Sequence, residues 1–167
     1  MSGFGRTRRR LWWAAPLALA PLALAACGGG SPSSSATTSH PSGPTYEVTT
    51  AKVGNLGTIL VDGKGYTLYL FVPDNASGRS MCSGLCAAQW PPLTLPSDVS
   101  SPVAGPGAKS TLLGTTTRPG GARQVTYAGW PLYLWPDDTQ PGQATGQGIN
   151  NLGGLWYVVS PSGKAVR

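Results

Sequence analysis

Residues 59–74 read ILVDGKGYTLYLFVPD, and residues 124–137 read QVTYAGWPLYLWPD. Each stretch holds a β-rich run, a glycine-bearing turn and then Leu-Tyr-Leu-aromatic. The last part is Leu68, Tyr69, Leu70 and Phe71 in the first copy, and Leu132, Tyr133, Leu134 and Trp135 in the second. An Asp stands three residues after each aromatic, Asp74 and Asp138, so both copies carry Tyr-x-aromatic-x-x-Asp. Each copy then reaches a Trp at the head of another apolar stretch. These are Trp90-Pro91-Pro92-Leu93 and Trp156-Tyr157-Val158-Val159, 21 and 23 residues after the respective Tyr. Matching order and matching spacing mark an internal duplication.

One copy reads as a β-hairpin with a returning strand. Asp62-Gly63-Lys64-Gly65 and Ala128-Gly129 supply the residues that hairpin turns favour. Alternation puts Tyr69 and Phe71 on one strand face and Leu68 and Leu70 on the other, with the same division in the second copy. Both faces are apolar, which predicts cover on both sides. A single copy is too small to provide that cover, so the two are expected to pack about a pseudo-twofold axis. With 24 Gly and 16 Pro, long helices are excluded. The expected fold is all-β or mostly β: two pseudo-symmetric antiparallel hairpin repeats in one compact domain. That domain spans residues 49–165, with repeat one at about 55–95 and repeat two at about 122–163.

The repeated aromatics read first as core and second as a ligand-binding stripe. The repeated Asp reads first as a turn residue whose carboxylate accepts backbone N–H groups. Its other reading is a pair, Asp74 and Asp138 meeting across the axis. Two carboxylates are too few to name a metal.

The chain's beginning reads as an address. Four arginines (Arg6, Arg8, Arg9 and Arg10) precede an apolar run from Leu11 to Ala26, and Leu24-Ala25-Ala26-Cys27 follows. A basic segment, a short apolar run and small residues at the cut describe a secretory signal over residues 1–26. The run falls short of the roughly 20 residues a spanning helix needs. Leu-Ala-Ala-Cys resembles the bacterial lipobox, which implies acylation of Cys27 and anchoring to the outer face of the cytoplasmic membrane. Thr7-Arg8-Arg9-Arg10-Leu11-Trp12 is similar to a twin-arginine signal, and the general secretion route stands beside it.

Removal of that signal changes the charge. The whole chain has 12 Lys+Arg against 6 Asp+Glu, and four of the arginines leave with the signal. What remains is nearly balanced, so the basic character gives no ground for nucleic-acid binding. Residues 27–48 read as acylated Cys followed by a Gly/Ser/Pro tether without apolar periodicity. His40 lies in that tether and reads as a solvated linker residue.

Cys82 and Cys86 are the two cysteines left once Cys27 is acylated. In an oxidising compartment such a pair is expected to form a disulfide, and the spacing permits one in a turn. The alternative is a soft-metal or redox site, with Met81 beside the two thiols offering a Cu(I) set. Three other patterns fall away. Residues 105–111, GPGAKST, lack the Gly before Lys that a phosphate loop needs. Asn75-Ala76-Ser77 fits a glycosylation sequon, but a lipobox implies a bacterium. No Ser-His-Asp triad can be built when His40 is the sole histidine.

The chain resembles the bacterial secreted-repeat lipoproteins, whose hallmark is a tandem Tyr-x-(Phe/Trp/Tyr)-x-x-Asp. The hallmark falls on Tyr69, Phe71 and Asp74, then on Tyr133, Trp135 and Asp138. Residues 82–87 (CSGLCA), 113–118 (LGTTTR), 124–127 (QVTY) and 156–161 (WYVVSP) match as well, so the resemblance covers nearly all of 55–163. It implies no particular biochemical activity. Relatives often carry His before the Pro-Leu-Tyr of the second copy, whereas this chain has Trp130.

The functional expectation is a membrane-anchored envelope lipoprotein, non-enzymatic and without a cofactor, acting as an interaction or structural module. Its partners would be the membrane, through the anchor, and an envelope protein or glycan. One alternative is a redox or copper-handling protein using Met81, Cys82 and Cys86. Another is a glycan binder stacking sugars on Trp90, Trp130, Trp135 and Trp156.

Overall fold

The computed structural model describes residues 41–167. Cys27 and His40 lie outside the described residues. The chain enters its first strand at Glu47, so the end of the expected tether, Val48 included, belongs to the core.

The first copy opens with strand β1 (Glu47–Lys52), which turns through Val53–Gly57 into antiparallel β2 (Thr58–Asp62). Asp62 then closes the predicted turn. Its Oδ1 accepts the N–H groups of Lys64 and Tyr66, both at 2.9 Å, and its carbonyl accepts that of Gly65. The chain returns as β3 (Tyr69–Phe71) and continues through a long loop to a short helix, α1 (Leu85–Gln89).

The second copy repeats this order. After β4 (Val103–Ala104) come β5 (Leu113–Thr117), antiparallel β6 (Arg123–Tyr127) and short β7 (Trp130–Pro131). Ala128 and Gly129 form the turn between β6 and β7, with φ of 50° and 82°. That pair of positive values is what a tight two-residue hairpin demands. A last hairpin joins β8 (Asn150–Asn151) to β9 (Gly154–Val158). Each copy therefore begins with a further strand, β1 or β5, ahead of the expected hairpin. The sheets are also not wholly antiparallel, because β4 runs parallel to β1.

The returning segments do not stay in their own copy. Strand β9 of the second copy pairs with β3 of the first, Tyr69 opposite Val158 and Phe71 opposite Trp156. Reciprocally, the segment after α1 pairs with the second copy: Pro92 bridges to Tyr133 and Thr94 to Gln124. Each copy thus completes the other, which is why neither could bury its strands alone.

The two faces of the central strands separate two clusters. Leu68, Leu70 and Leu132 pack with Val48, Leu60, Leu93, Val125, Tyr127 and Val159. Tyr69, Phe71 and Tyr133 pack with Val53, Ile59, Val61, Trp90 and Trp156 on the opposite side. Full burial of side chains this size contributes roughly 1.5–3 kcal/mol each. Among the described residues no helix is long and apolar enough to cross a membrane.

Candidate functional site

The two copies meet at their tyrosines. Tyr69 donates its N–H to the carbonyl of Tyr133, and Tyr133 returns the bond, both at 2.9 Å. The side chains then cross. The Tyr69 hydroxyl donates to Oδ2 of Asp138 at 2.5 Å, and the Tyr133 hydroxyl donates to Oδ2 of Asp74 at 2.7 Å. The motif makes its key bond to the other copy, not to itself.

Each Asp also holds its own loop. Oδ1 of Asp74 accepts the N–H of Met81, and Oδ1 of Asp138 accepts the N–H and hydroxyl of Thr145, all at 2.7 Å. The cap reading describes half of each carboxylate. The paired reading is corrected: the acids meet tyrosines across the axis and not each other. Like charges buried face to face would repel, whereas a phenol offers a donor.

Burial pushes the Tyr69 and Tyr133 phenols up, and the acid each one faces adds to that. The Asp74 carboxyl is also raised by burial, against the lowering effects of the Met81 N–H, the Tyr133 hydroxyl and the charge of Arg118. Both phenols therefore stay protonated and serve as donors.

Around this centre the aromatics form a four-ring column. Phe71 stacks on Trp156 at 4.3 Å between centroids and Trp156 on Trp90 at 4.0 Å, while Trp135 lies 4.2 Å from Trp90, tilted by 31°. The column takes its outer rings from the two motifs and its inner rings from the two returning segments. Tyr69 and Tyr133 meet Trp90 and Trp156 edge-on, and such contacts add about 0.5–1.5 kcal/mol each beyond burial. The Trp90 indole N–H reaches Asn151, while that of Trp156 has no protein acceptor.

The column overturns the four-tryptophan glycan platform, because Trp90 and Trp156 are wholly buried. Only its outer end is open. Half-buried Trp135 lines a groove of about 360 Å³ with Tyr66, Pro91, Leu134 and Pro136, and Asp62 and Lys64 stand beside it. Trp130 is half-buried and packs against the leucine cluster on the other face.

Cys82 and Cys86 form a disulfide, with their Cα atoms 5.2 Å apart. Neither sulfur is then a thiolate, so the Cu(I) set of Met81, Cys82 and Cys86 loses two of its three ligands. Met81 is largely exposed. Among the described residues no three His, Cys, Asp or Glu side chains group closely enough to hold a metal ion.

One functional-looking residue had no role in the sequence reading. Arg118 is buried, and its Nη1 donates to Ser80 Oγ at 2.9 Å and Gln124 Oε1 at 2.5 Å. Its Nη2 donates to the Cys82 carbonyl at 2.6 Å. The only signal for it was the last letter of LGTTTR, which carries no chemistry by itself.

Fold and centre define a tandem-repeat β domain whose halves interlock through swapped strands and crossed Tyr–Asp bonds. The chain belongs to the family described as a secreted repeat of unknown function, whose model matches residues 50–94 and 114–160, more than half of the chain. It is accordingly an exported protein. No curated protein and no solved structure gives a significant match.

Proposed function

We propose that the chain is a lipoprotein anchored through acylated Cys27 to the outer face of the bacterial cytoplasmic membrane, and that its repeat pair is a non-enzymatic interaction module of the envelope. One observation carries the reading of the domain: its central reactive groups are spent on structure. Both oxygens of Asp74 and of Asp138 accept hydrogen bonds, the two phenols are held as donors, and the two cysteines are joined. A general base or nucleophile must lie within reach of substrate, and Asp74 and Asp138 are buried. The anchor reading rests on Leu24-Ala25-Ala26-Cys27 and on the tether that follows.

The test is Cys27→Ser in a bacterial host. The parent protein should sediment with membranes and give an N-terminal peptide carrying a lipid mass on Cys27. The variant should leave the membrane fraction. Retention of the variant there would sink the anchor reading.

A second reading narrows the glycan partner to the groove at Trp135. Trp135 and Tyr66 offer flat rings in a mostly apolar groove with exposed Lys64 at its edge, an arrangement on which a sugar face can stack. Titration with cell-wall oligosaccharides should shift the tryptophan emission, and an unchanged spectrum at saturation would exclude this partner.

A further inference from the structure

The two copies are not equivalent at one place. Val53 and Arg118 occupy the same position, each donating its N–H across a tight turn, to Gly57 at 2.9 Å and to Ala122 at 2.8 Å. The strand registers extend the match: Lys52 lies opposite Thr58 as Thr117 lies opposite Arg123. Val53, Ile59 and Val61 of the first copy therefore correspond to Arg118, Gln124 and Thr126 of the second. The first set is buried in the aromatic cluster, and the second is buried as well. The fold is thus satisfied by valine where the second copy places a guanidinium. Burying a charge costs several kcal/mol unless its donors are matched, so the architecture alone does not call for it.

The acceptors of Arg118 are all neutral: Ser80, Gln124 and the Cys82 carbonyl. Those three bonds use three of the five N–H groups of a guanidinium. The carboxylate whose field it feels, Asp74, gives its oxygens to Tyr133 and Met81. Beside Arg118 lies a pocket of about 300 Å³ lined by Arg79, Ser80, Thr116, Thr117, Arg118 and Pro119. Two arginines and three hydroxyl-bearing residues line it, and no acid does. Arg118 is also pre-positioned, because one of its bonds ties it to the stapled loop at Cys82.

We infer that the pocket between Arg79 and Arg118 is a binding site for a phosphate group. A guanidinium matches two phosphate oxygens at once, and the hydroxyl of exposed Thr117 can meet another. A planar carboxylate is satisfied by one fork and would leave the remaining donors unused. The volume admits the phosphate and the first atoms of an ester. This goes beyond the anchored-module reading and stands whether or not Cys27 is acylated.

Calorimetric titration of the full chain with inorganic phosphate, at constant ionic strength set with chloride, tests it. Saturable one-to-one binding is expected. Arg79→Ala, at an exposed position, should weaken it about tenfold or more. Thr117→Val should weaken it less, and Lys164→Ala, at an exposed turn, should leave it unchanged. Unfolding midpoints matching the parent would show that these variants fold. A parallel titration with glycerol phosphate separates the sources: tighter binding assigns an esterified phosphate, weaker binding the free ion. Absence of saturable heat, an Arg79→Ala variant binding like the parent, or equal binding of chloride would overturn the site.

Discussion

Tyr69 and Tyr133 exchange both of their main-chain hydrogen bonds, each at 2.9 Å, and then send their hydroxyls in opposite directions to Asp138 and Asp74. The symmetry of the molecule is therefore concentrated in one residue pair. Four hydrogen bonds, two main-chain and two side-chain, join the copies at that point.

Tyr133→Phe removes one donor and leaves a buried carboxylate oxygen of Asp74 short of a partner. The cost should be about 1–3 kcal/mol, read from urea unfolding. Tyr69→Phe should cost a similar amount through Asp138. The two sites touch, so the double variant should depart from the sum of the singles.

Asp62 and Asp74 carry carboxyls raised above their ordinary range, chiefly by burial. In the window between the unfolded value of 3.8 and the raised folded one, the folded state binds more protons than the unfolded. Their contribution is complete below that unfolded value and is lost as pH rises through the folded one. The urea midpoint of the parent should accordingly gain on acidification from neutral pH relative to Asp62→Asn, which removes the turn's titrating group. Parallel pH profiles for the two proteins would refute this.

Reduction of Cys82–Cys86 opens a very short loop. The chain-entropy contribution is about 2 kcal/mol, so reduced protein should stay folded with a lower unfolding midpoint. The Arg118 bond to the Cys82 carbonyl places the loop against the second copy, and amide exchange at residues 80–86 should rise more than elsewhere.

Gly146 has no room for a side chain. A Cβ there would lie 2.8 Å from the Trp90 ring and 3.0 Å from that of Tyr69, both wholly buried. Gly146→Ala should therefore destabilise by about 1–3 kcal/mol and disturb the near-ultraviolet dichroism of the stacked indoles.

Arg118→Val alone strands the Gln124 Oε1 and leaves the Cys82 carbonyl with the Ser80 hydroxyl as its donor. Adding Gln124→Ile rebuilds the apolar pair that the first copy uses. The double variant should be more stable than Arg118→Val, as measured by the chemical-denaturation midpoint.

Much of this architecture is legible in residues 59–74 and 124–137. The two-residue period of Leu68 to Phe71 assigns each side chain to a face, because consecutive Cβ atoms of a strand point oppositely whatever lies around them. The turns at Asp62 and at Ala128-Gly129 are equally local. Partners were less legible. Asp74 and Asp138 lie at matching places, yet whether they meet a backbone, each other or a tyrosine depends on residues 59 and 69 positions away. The extra strands β1 and β5 escaped the hairpin reading because their threonine-rich sequences show little apolar alternation.

The sequence by itself determined the duplication and the two-sided burial of the central strands, since periodicity and composition are properties of the covalent chain. Only the tertiary structure decided that the copies exchange their last strands, that each Tyr binds the other copy's Asp, and that Arg118 stands where its counterpart is Val53. Those are choices among long-range contacts. Their free energies depend on which surfaces meet, and no local pattern carries that information.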